Sequence, residues 1–443
     1  MRVLAMDFGT SSIKLSILDA DCLILKSLKI PYQIRVYNED WVELDGDVII
    51  DAMVLGIRSL DVELQSIDLI AFDTFSPSMI FMDIDGDPVY PIFTHLDRRS
   101  KKQSKDILER VGKDRFQTIT GIQPFIGGAS ITSAMWMREN ENELFKKAFN
   151  LGHLNTYIYR KLTGVFCTDI VNASMTGMYQ TVLGAGWSEE ICEICEIPKN
   201  LLPRILTPGA IAGFLTKEIA GLTGLREGIP VALGTNDAAS AQIGANNVVS
   251  GDILNISGSS EMISILTDKP KIDDQYYLRC SATPSLWQIF ATTVGGFALD
   301  WFREQFYQDL DERTFFDKEF PHVVDNFLDK TRVGFLPYLA GDRQSLIPKT
   351  GSFTGLTLNS KREDFLAAIL LGMHSPIQTV IQTCESFIEL NKTIKLTGGM
   401  IDPVFLKVKE KLFGGYQFKI ISDCPIIGSV RLALAGLEKI ERK

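Results

Sequence analysis

Apolar and polar positions fall in blocks that read as strands, turns and helices. Val3 to Met6 is a short apolar run, Asp7-Phe8-Gly9-Thr10-Ser11-Ser12 is a polar turn, and Ile13 to Leu18 alternates apolar with polar. This predicts a hairpin at the start of the chain. Further strands are predicted from Asp68 to Phe72 and from Met79 to Met82, the second stopped by the Asp83-Ile84-Asp85-Gly86-Asp87 turn. From about Arg98 to Leu162 the apolar residues, among them Leu108, Val111, Met135, Trp136, Leu144, Phe145 and Ile158, fall at helical spacings. Gly228 to Leu233 reads as a buried strand closed by Gly234, and Ala238 to Ala245 as a helix of small residues.

The opening pattern then returns. Gly251 to Ile256 leads into Ser257-Gly258-Ser259-Ser260, and Met262 to Leu266 leads out, about 250 residues after the first hairpin. Solenoid repeats recur every ~20–50 residues, so this distance points to two similar domains. A helix from Lys361 to about Leu390, a strand from Thr393 to Leu396, a Gly398-Gly399 pair, a helix from Val404, a strand around Phe418 to Ile421 and a helix from Pro425 to Lys439 follow. Both element types alternate throughout, so the fold class is α/β. No Pro- or Ser-rich linker interrupts the chain. Domains are therefore expected at 1–246 and 247–443, meeting in a compact crossing near residues 244–252.

By length, 443 residues allow roughly three domains or two large ones. Hydrophobic residues at 45% and charged residues at 23% suit a globular chain with a sizeable core. Against 55 Asp plus Glu stand 45 Lys plus Arg, and the net charge of −10 disfavours nucleic-acid and anionic-membrane partners, which need a positive field. No apolar run reaches the ~18 residues of a membrane span. The strand-like opening carries no signal-like segment. The seven cysteines (Cys22, Cys167, Cys192, Cys195, Cys280, Cys384 and Cys424) are odd in number and scattered, which argues against a disulfide framework. A soluble, reduced, cytoplasmic protein is expected. Cys192 and Cys195 form a C-x-x-C, but a zinc site needs two more ligands and none is paired nearby. That segment reads instead as a helix N-capped by Ser188, with glutamates in its first turn and both thiols half-buried. His95, His153, His322 and His374 are isolated and match no metal-ligand spacing.

Three glycine-containing turns follow apolar strands. In Asp7-Phe8-Gly9-Thr10-Ser11-Ser12-Ile13-Lys14, glycine lets the backbone approach an anion, N–H groups and hydroxyls can cradle phosphate oxygens, and Lys14 adds positive charge. Asp7 could hold Mg²⁺, which is usually bound by one or two carboxylates plus substrate phosphates. Ser257-Gly258-Ser259-Ser260 offers the same donors without a carboxylate, and Thr397-Gly398-Gly399-Met400 leaves room for a flat ligand or another backbone. Each alone is first of all a turn; the first two, in matching strand contexts, are harder to dismiss. No Walker A or G-x-G-x-x-G sequence occurs, which disfavours P-loop and dinucleotide-binding folds. In Gly234-Thr235-Asn236-Asp237-Ala238-Ala239-Ser240, Asp237 reads equally as a helix N-cap or as the carboxylate that accepts the proton of an attacking hydroxyl.

In order, these segments resemble the FGGY carbohydrate kinases of the actin, Hsp70 and sugar kinase superfamily, over nearly the whole chain. Met6 to Lys14 is similar to that family's first phosphate loop, Trp41-Val42-Glu43-Leu44-Asp45 to its W-x-E-x-D/N segment, and Asp97-Arg98-Arg99 to its D-x-R segment. Leu162-Thr163-Gly164 with Thr168-Asp169 and Ala173-Ser174 resembles its L-T-G, T-D, A-S signature. Pro337 to Arg343 and Gly351 to Leu356 resemble the Y-L-x-G-E-R and G-x-F-x-G-L pair, and Leu396 to Gly399 the adenosine motif. Phe413-Gly414-Gly415-Tyr416 spells the family's name but reads as a plain turn.

The resemblance implies two RNase H-like (actin-like ATPase) domains around a cleft in which ATP phosphorylates a sugar or polyol hydroxyl. It implies Asp237 as catalytic base, Asp7 near Mg²⁺, and Thr10, Ser11, Ser12 and Lys14 near the ATP phosphates. Gly258 and Ser259 form the second phosphate loop, Gly296 approaches the nucleotide, and Gly398, Gly399 and Met400 border adenine. Ser76, Pro77, Ser78, Asp97 and Asp237 fall at the acceptor site. The substrate loop departs from the pattern: Thr74-Phe75-Ser76-Pro77-Ser78 carries no charge and no histidine, and Ala238 stands where Gln or Asn is common. Losing polar partners for buried hydroxyls alters which sugar fits. A xylulose-like pentulose leads by similarity, with gluconate, glycerol or another polyol open, and a homodimer is left open. Two other readings remain: a nucleotide-binding regulator or scaffold on the same fold, and an actin- or Hsp70-like protein.

Overall fold

The computed structural model describes residues 1–442 apart from 39, 340, 342–345, 347 and 348. Two large sheets organise it, and they share one plan. In the first, the hairpin of strands Arg2–Phe8 and Ser12–Asp19 continues antiparallel into Ile24–Pro31, while Leu69–Thr74 and then Pro230–Ala232 add in parallel on the other side of Arg2–Phe8. In the second, the hairpin Ile253–Ser257 and Ser260–Thr267 continues antiparallel into Trp287–Val294, while Thr393–Thr397 and Gln417–Ile420 add in parallel. The repeat of apolar run, Gly/Ser turn and apolar run therefore marks the central hairpin of each sheet.

Strand Arg2–Phe8 explains its own sequence. Leu4, Met6 and Phe8 enter the core on one face with Ile13, Leu15, Ile70 and Phe72. Val3 and Ala5 enter the other with Leu69, Ala71, Ile426 and Val430. A strand covered on both faces reads as a continuous apolar run. Ile426 and Val430 belong to the helix Cys424–Glu441, so the end of the chain returns to the first sheet and crosses the boundary near residue 246 a second time. That helix packs on the helix Asp237–Gly244, and Leu254 of the second sheet meets both in a cluster with Ala241, Ala245 and Cys424. The two helices thus lie between the two sheets.

The stretch from Arg98 to Leu162 is broken into several helices and includes the strand Asn150–Gly152, which pairs with Ser78–Met82 in a smaller sheet. The helix expected from Lys361 runs from Arg362 to Glu385. By length and composition it could cross a membrane. Here Leu366, Ile369, Met373 and Ile377 are buried within the second half of the chain. Ser188 caps the helix Glu189–Ile194 as expected, its hydroxyl accepting from Ile191 N at 3.2 Å. Cys192 and Cys195 are free and buried rather than half-exposed, because both thiols join a large apolar cluster.

Candidate active site

Three carboxylates meet at the carboxyl ends of adjacent strands in the first sheet. Asp7 and Asp73 are partners across the parallel pairing of Arg2–Phe8 with Leu69–Thr74, and Thr235-Asn236 pairs with Asp73 and Thr74 on the far side. Asp237 is the next residue and opens the helix Asp237–Gly244. Open α/β sheets place ligand sites at such strand ends. Asn236, not Asp237, is the N-cap: its side-chain oxygen accepts from Ala239 N at 3.2 Å. Asp237 keeps one oxygen close to the backbone, accepting from Ala238 N at 2.7 Å and from Asn236 Nδ2 at 2.8 Å. Burial, with the charge of Asp7 added, pushes the Asp237 carboxyl up to about 7. Burial also raises Asp7. Asp73 is raised well above the ordinary carboxylate range, by burial and then by Asp7 and Asp237, and its buried oxygens have no partner among the described residues besides the Asp7 carboxyl.

Asp237 lines a cavity of ≈ 360 Å³ together with Thr10, Ser76, Pro77, Gly258 and Ser259. Residues from both glycine turns and from the expected acceptor loop therefore share one space, although they are far apart in sequence. A side chain at Gly258 would meet only Ser260 O at 3.9 Å, so that backbone faces open room. The turn is held by Gly258 N donating to Ser260 O at 3.0 Å and by Gly295 N and Gly296 N donating to Ser259 O and Gly258 O. Beneath it, the Ser257 hydroxyl donates to the Glu261 carboxylate, which is ion-paired with Lys409; both charged side chains are fully buried. A larger cavity of ≈ 860 Å³ meets this one at Ser259, Ser260 and Thr292, and continues past Phe297 to Ser375 and Thr379.

Other expected site residues stand outside both cavities. Lys14 is paired with Asp423 at 2.5 Å, its ammonium committed to the start of the last helix. Ser11 and Ser12 continue the first turn, where their carbonyls accept from Tyr32 N and Gly9 N at 3.0 Å each. Gly296 lies against Met400, whose sulfur would sit 2.1 Å from any Cβ built there. Gly398 has φ of +118° and abuts Ser257 O, while a side chain at Gly399 would meet open space. Ser78 is buried and its hydroxyl accepts from Leu154 N at 2.9 Å, a helix-anchoring role. Asp97 does not line the cavity that holds Asp237. It forks onto Arg99, which also pairs with Glu43 at 2.7 Å, and that guanidinium lies 4.0 Å from the Trp41 ring centre. The W-x-E and D-x-R segments thus build one buried ion cluster. Of the Pro337 to Arg343 segment, Ala340, Asp342 and Arg343 lie outside the described residues.

Sequence reasoning missed several residues here. Asp169 is a fully buried hub that accepts from Asn155 Nδ2 at 3.0 Å, Asn172 Nδ2 at 2.6 Å and Thr235 Oγ1 at 2.7 Å. Asn172 in turn accepts from the Ser76 hydroxyl at 2.6 Å. The T-D signature therefore ties the acceptor loop to the strand that presents Asp237, a role its position in the motif order signalled without defining. His95, Arg98 and Arg279 line the cavity as well; Arg98 is the middle residue of the D-x-R segment, while nothing in the local sequence marks His95 or Arg279.

A profile of the FGGY family of carbohydrate kinases, N-terminal domain, matches residues 2–244. The chain is 24% identical over 447 residues to the xylulose kinase of Lactococcus lactis, covering 98% of this chain and 87% of that one. It is 27% identical over 410 residues to the gluconokinase of Bacillus subtilis, covering 90% and 80%. The crystal structure of ligand-bound xylulose kinase from Lactobacillus acidophilus superposes with a TM-score of 0.88 at 23% identity, over 99% of this chain and 90% of that one. The fold is thus the two-domain actin-like ATPase architecture of the sugar kinases, and the chain belongs to the FGGY family of carbohydrate kinases.

Proposed function

We propose that the protein transfers the γ-phosphoryl group of ATP to a hydroxyl of a small sugar, polyol or sugar acid, with Asp237 as general base. The observation that carries this reading is the release of Asp237 from capping duty by Asn236, in the cavity that both glycine turns border. The acceptor oxygen bonds to the γ-phosphorus as the bond from that phosphorus to the β,γ-bridging oxygen breaks. The electron pair leaves with ADP and the hydroxyl proton passes to Asp237. Phosphoryl transfer depends on positioning and charge stabilisation more than on covalent chemistry. Thr10 and the Gly258-Ser259 backbone would flank the reacting phosphate. In this reading residues 1–246 supply acceptor site and base, and residues 247–443, apart from the last helix, supply the second phosphate turn and the nucleotide contacts of Gly296 and Gly398 to Met400.

The carboxylates also fit a magnesium ion carried in with the triphosphate. Asp73 has two buried oxygens with no partner among the described residues besides the Asp7 carboxyl across from them. Among the described residues no three ligating side chains converge, so phosphate oxygens would complete the set. Bound there, Mg²⁺ would offset charge on the phosphate oxygens; Asp7 would hold it with Asp73 behind. The pentulose expectation rests on similarity alone, and similarity extends as far to a gluconokinase.

The test is coupled ADP release with Mg-ATP across ketoses, polyols and sugar acids. ADP release that requires one acceptor, and that Asp237→Asn removes while ATP still binds, is expected. ATP binding with a flat panel would favour a nucleotide-binding regulator or scaffold instead.

A further inference from the structure

Arg279 is a buried cation lining the acceptor cavity, and among the described residues nothing pairs it. It sits in the strand Tyr277–Cys280 at 6% exposure, with its guanidinium 4.1 Å from the Phe290 ring centre and 5.4 Å from that of Tyr277. Among the described residues the guanidinium makes no hydrogen bond and no ion pair, and Nε is buried and unsatisfied. Burial pulls it down to about 10, with Asp237 close enough for its charge to be felt but not joined to it in an ion pair. A charge held out of water without a partner is costly, and a fold keeps one where a ligand supplies the counter-charge.

Arg98 lines the same cavity, anchored by Nη1 donating to His95 O at 2.8 Å and Asp97 O at 3.0 Å. Gly127 makes room for it: a Cβ there would come within 1.9 Å of Arg98 Nη1. Among the described residues that line the cavity stand two guanidinium groups and one carboxylate, that of Asp237, and Phe75, Pro77, Phe125 and Ala238 supply apolar wall. The acceptor loop itself is uncharged, so the cations that line this cavity are Arg279 and Arg98, with Asp7 and Asp73 next to Asp237 but outside the lining.

We infer that the acceptor carries a carboxylate, as a sugar acid does, and that Arg279, with Arg98 beside it, receives that carboxylate while Asp237 faces the hydroxyl to be phosphorylated. Guanidinium and carboxylate match as paired parallel hydrogen bonds. The inference rests on the kinase reading above and narrows it. It replaces a neutral pentulose with a polyhydroxy acid.

The experiment uses pairs that differ at one carbon: gluconate against sorbitol and xylonate against xylitol, with glucose 6-phosphate as a second kind of anion. Thermal unfolding without ATP reads binding, and coupled ADP release reads turnover. The acids should raise the melting temperature, and kcat/KM should exceed that of the matched polyol at least about 100-fold. Arg279→Gln should remove that preference with KM for ATP within about twofold of wild type, and Arg279→Lys should retain part of it. Because Arg279 has no partner to strand among the described residues, Arg279→Gln should fold; if it does not, Arg98→Gln reads the same preference.

Turnover of neutral acceptors with the acids inert would overturn the inference and leave the kinase reading intact. So would a preference for the sugar phosphate, or a raised KM for ATP in Arg279→Gln with acceptor preference unchanged, which would assign the guanidinium to the triphosphate. If no acceptor elicits ADP, the kinase reading fails. Acid-induced stabilisation that Arg279→Gln abolishes would then still uphold the carboxylate site, and its absence would end it.

Discussion

Asp237 draws its chemistry from its neighbours. A buried carboxyl beside another carboxylate resists ionisation, and Asp237 sits near 7 for both reasons. A general base works only when deprotonated, so kcat/KM for the acceptor should rise about tenfold per pH unit below roughly 7 and level off above it. Asp237→Asn should lower kcat by roughly 10²–10⁴-fold and abolish that limb. A pH profile of wild type that is flat between 5 and 8 would remove Asp237 as the base. The same shift affects stability with a definite sign. The folded carboxyl keeps its proton above the ordinary value of 3.8, so folding favours protonation and native stability declines as pH climbs between that value and about 7.

Among the elements, the turn at Gly258, the proposed second phosphate turn, rests on a buried pair of charges. The hairpin joining Ile253–Ser257 to Ser260–Thr267 stands on the buried Lys409–Glu261 pair, with Asn255 donating to Glu261 and accepting from Lys409 at 2.8 Å. Removing one buried partner strands the other, at a cost of about 3–5 kcal/mol, whereas replacing both with apolar groups is often neutral. Lys409→Met should therefore lower the unfolding midpoint by several degrees, and Lys409→Met with Glu261→Met should recover most of it. Equal losses in the single and double variants, read by calorimetry, would mean that packing rather than charge pairing holds the turn. Neither this pair nor the Asp97 cluster was legible in the sequence. Periodicity reports which face of an element is buried, and it placed the hairpins, the repeat and the small-residue helix. Which charges meet across distant segments depends on how the sheets stack, so the motif order that sets Asp97 at the acceptor site does not show its pairing with Arg99 in a cluster that includes Glu43. The pairing of Lys14 with Asp423 is hidden for the same reason, Asp423 lying near the other end of the chain. Asp237 reads from the sequence as either cap or base, and Asn236 as the actual cap was not legible, because that turns on a single backbone position.

Across the whole molecule, the two halves are joined through a helix crossing that also fixes the site. The helix Asp237–Gly244 begins at the candidate base, and Cys424–Glu441 follows Asp423, which holds Lys14 of the first turn. Their contact requires glycine on both sides. A Cβ at Gly428 would lie 1.8 Å from Ser240 O, and one at Gly244 would lie 1.9 Å from Cys424 O. Ser240 Oγ donates to Pro425 O at 2.9 Å across the same seam, and Arg431 donates to Ile243 O at 2.9 Å. Backbone cannot yield as a flexible side chain does, so a methyl at Gly428 must push the helices apart. That displacement would move Asp237 relative to the turns at Thr10 and Gly258, and a shift of about 1 Å in such a site can cost on the order of 100-fold in rate. Gly428→Ala should therefore keep its helical content and bind ATP within a few fold of wild type, yet lose about 10–100-fold in kcat, with about 1–3 kcal/mol of stability lost to overpacking. Gly414→Ala, at a turn where an added Cβ meets nothing within 4 Å, is the matched control and should behave as wild type. If Gly428→Ala loses stability but turns over at the wild-type rate, the crossing holds the halves together without setting the geometry of transfer. A loss in kcat that exceeds the loss in ATP affinity would instead make the helix seam part of the device that brings base, acceptor and phosphate into line.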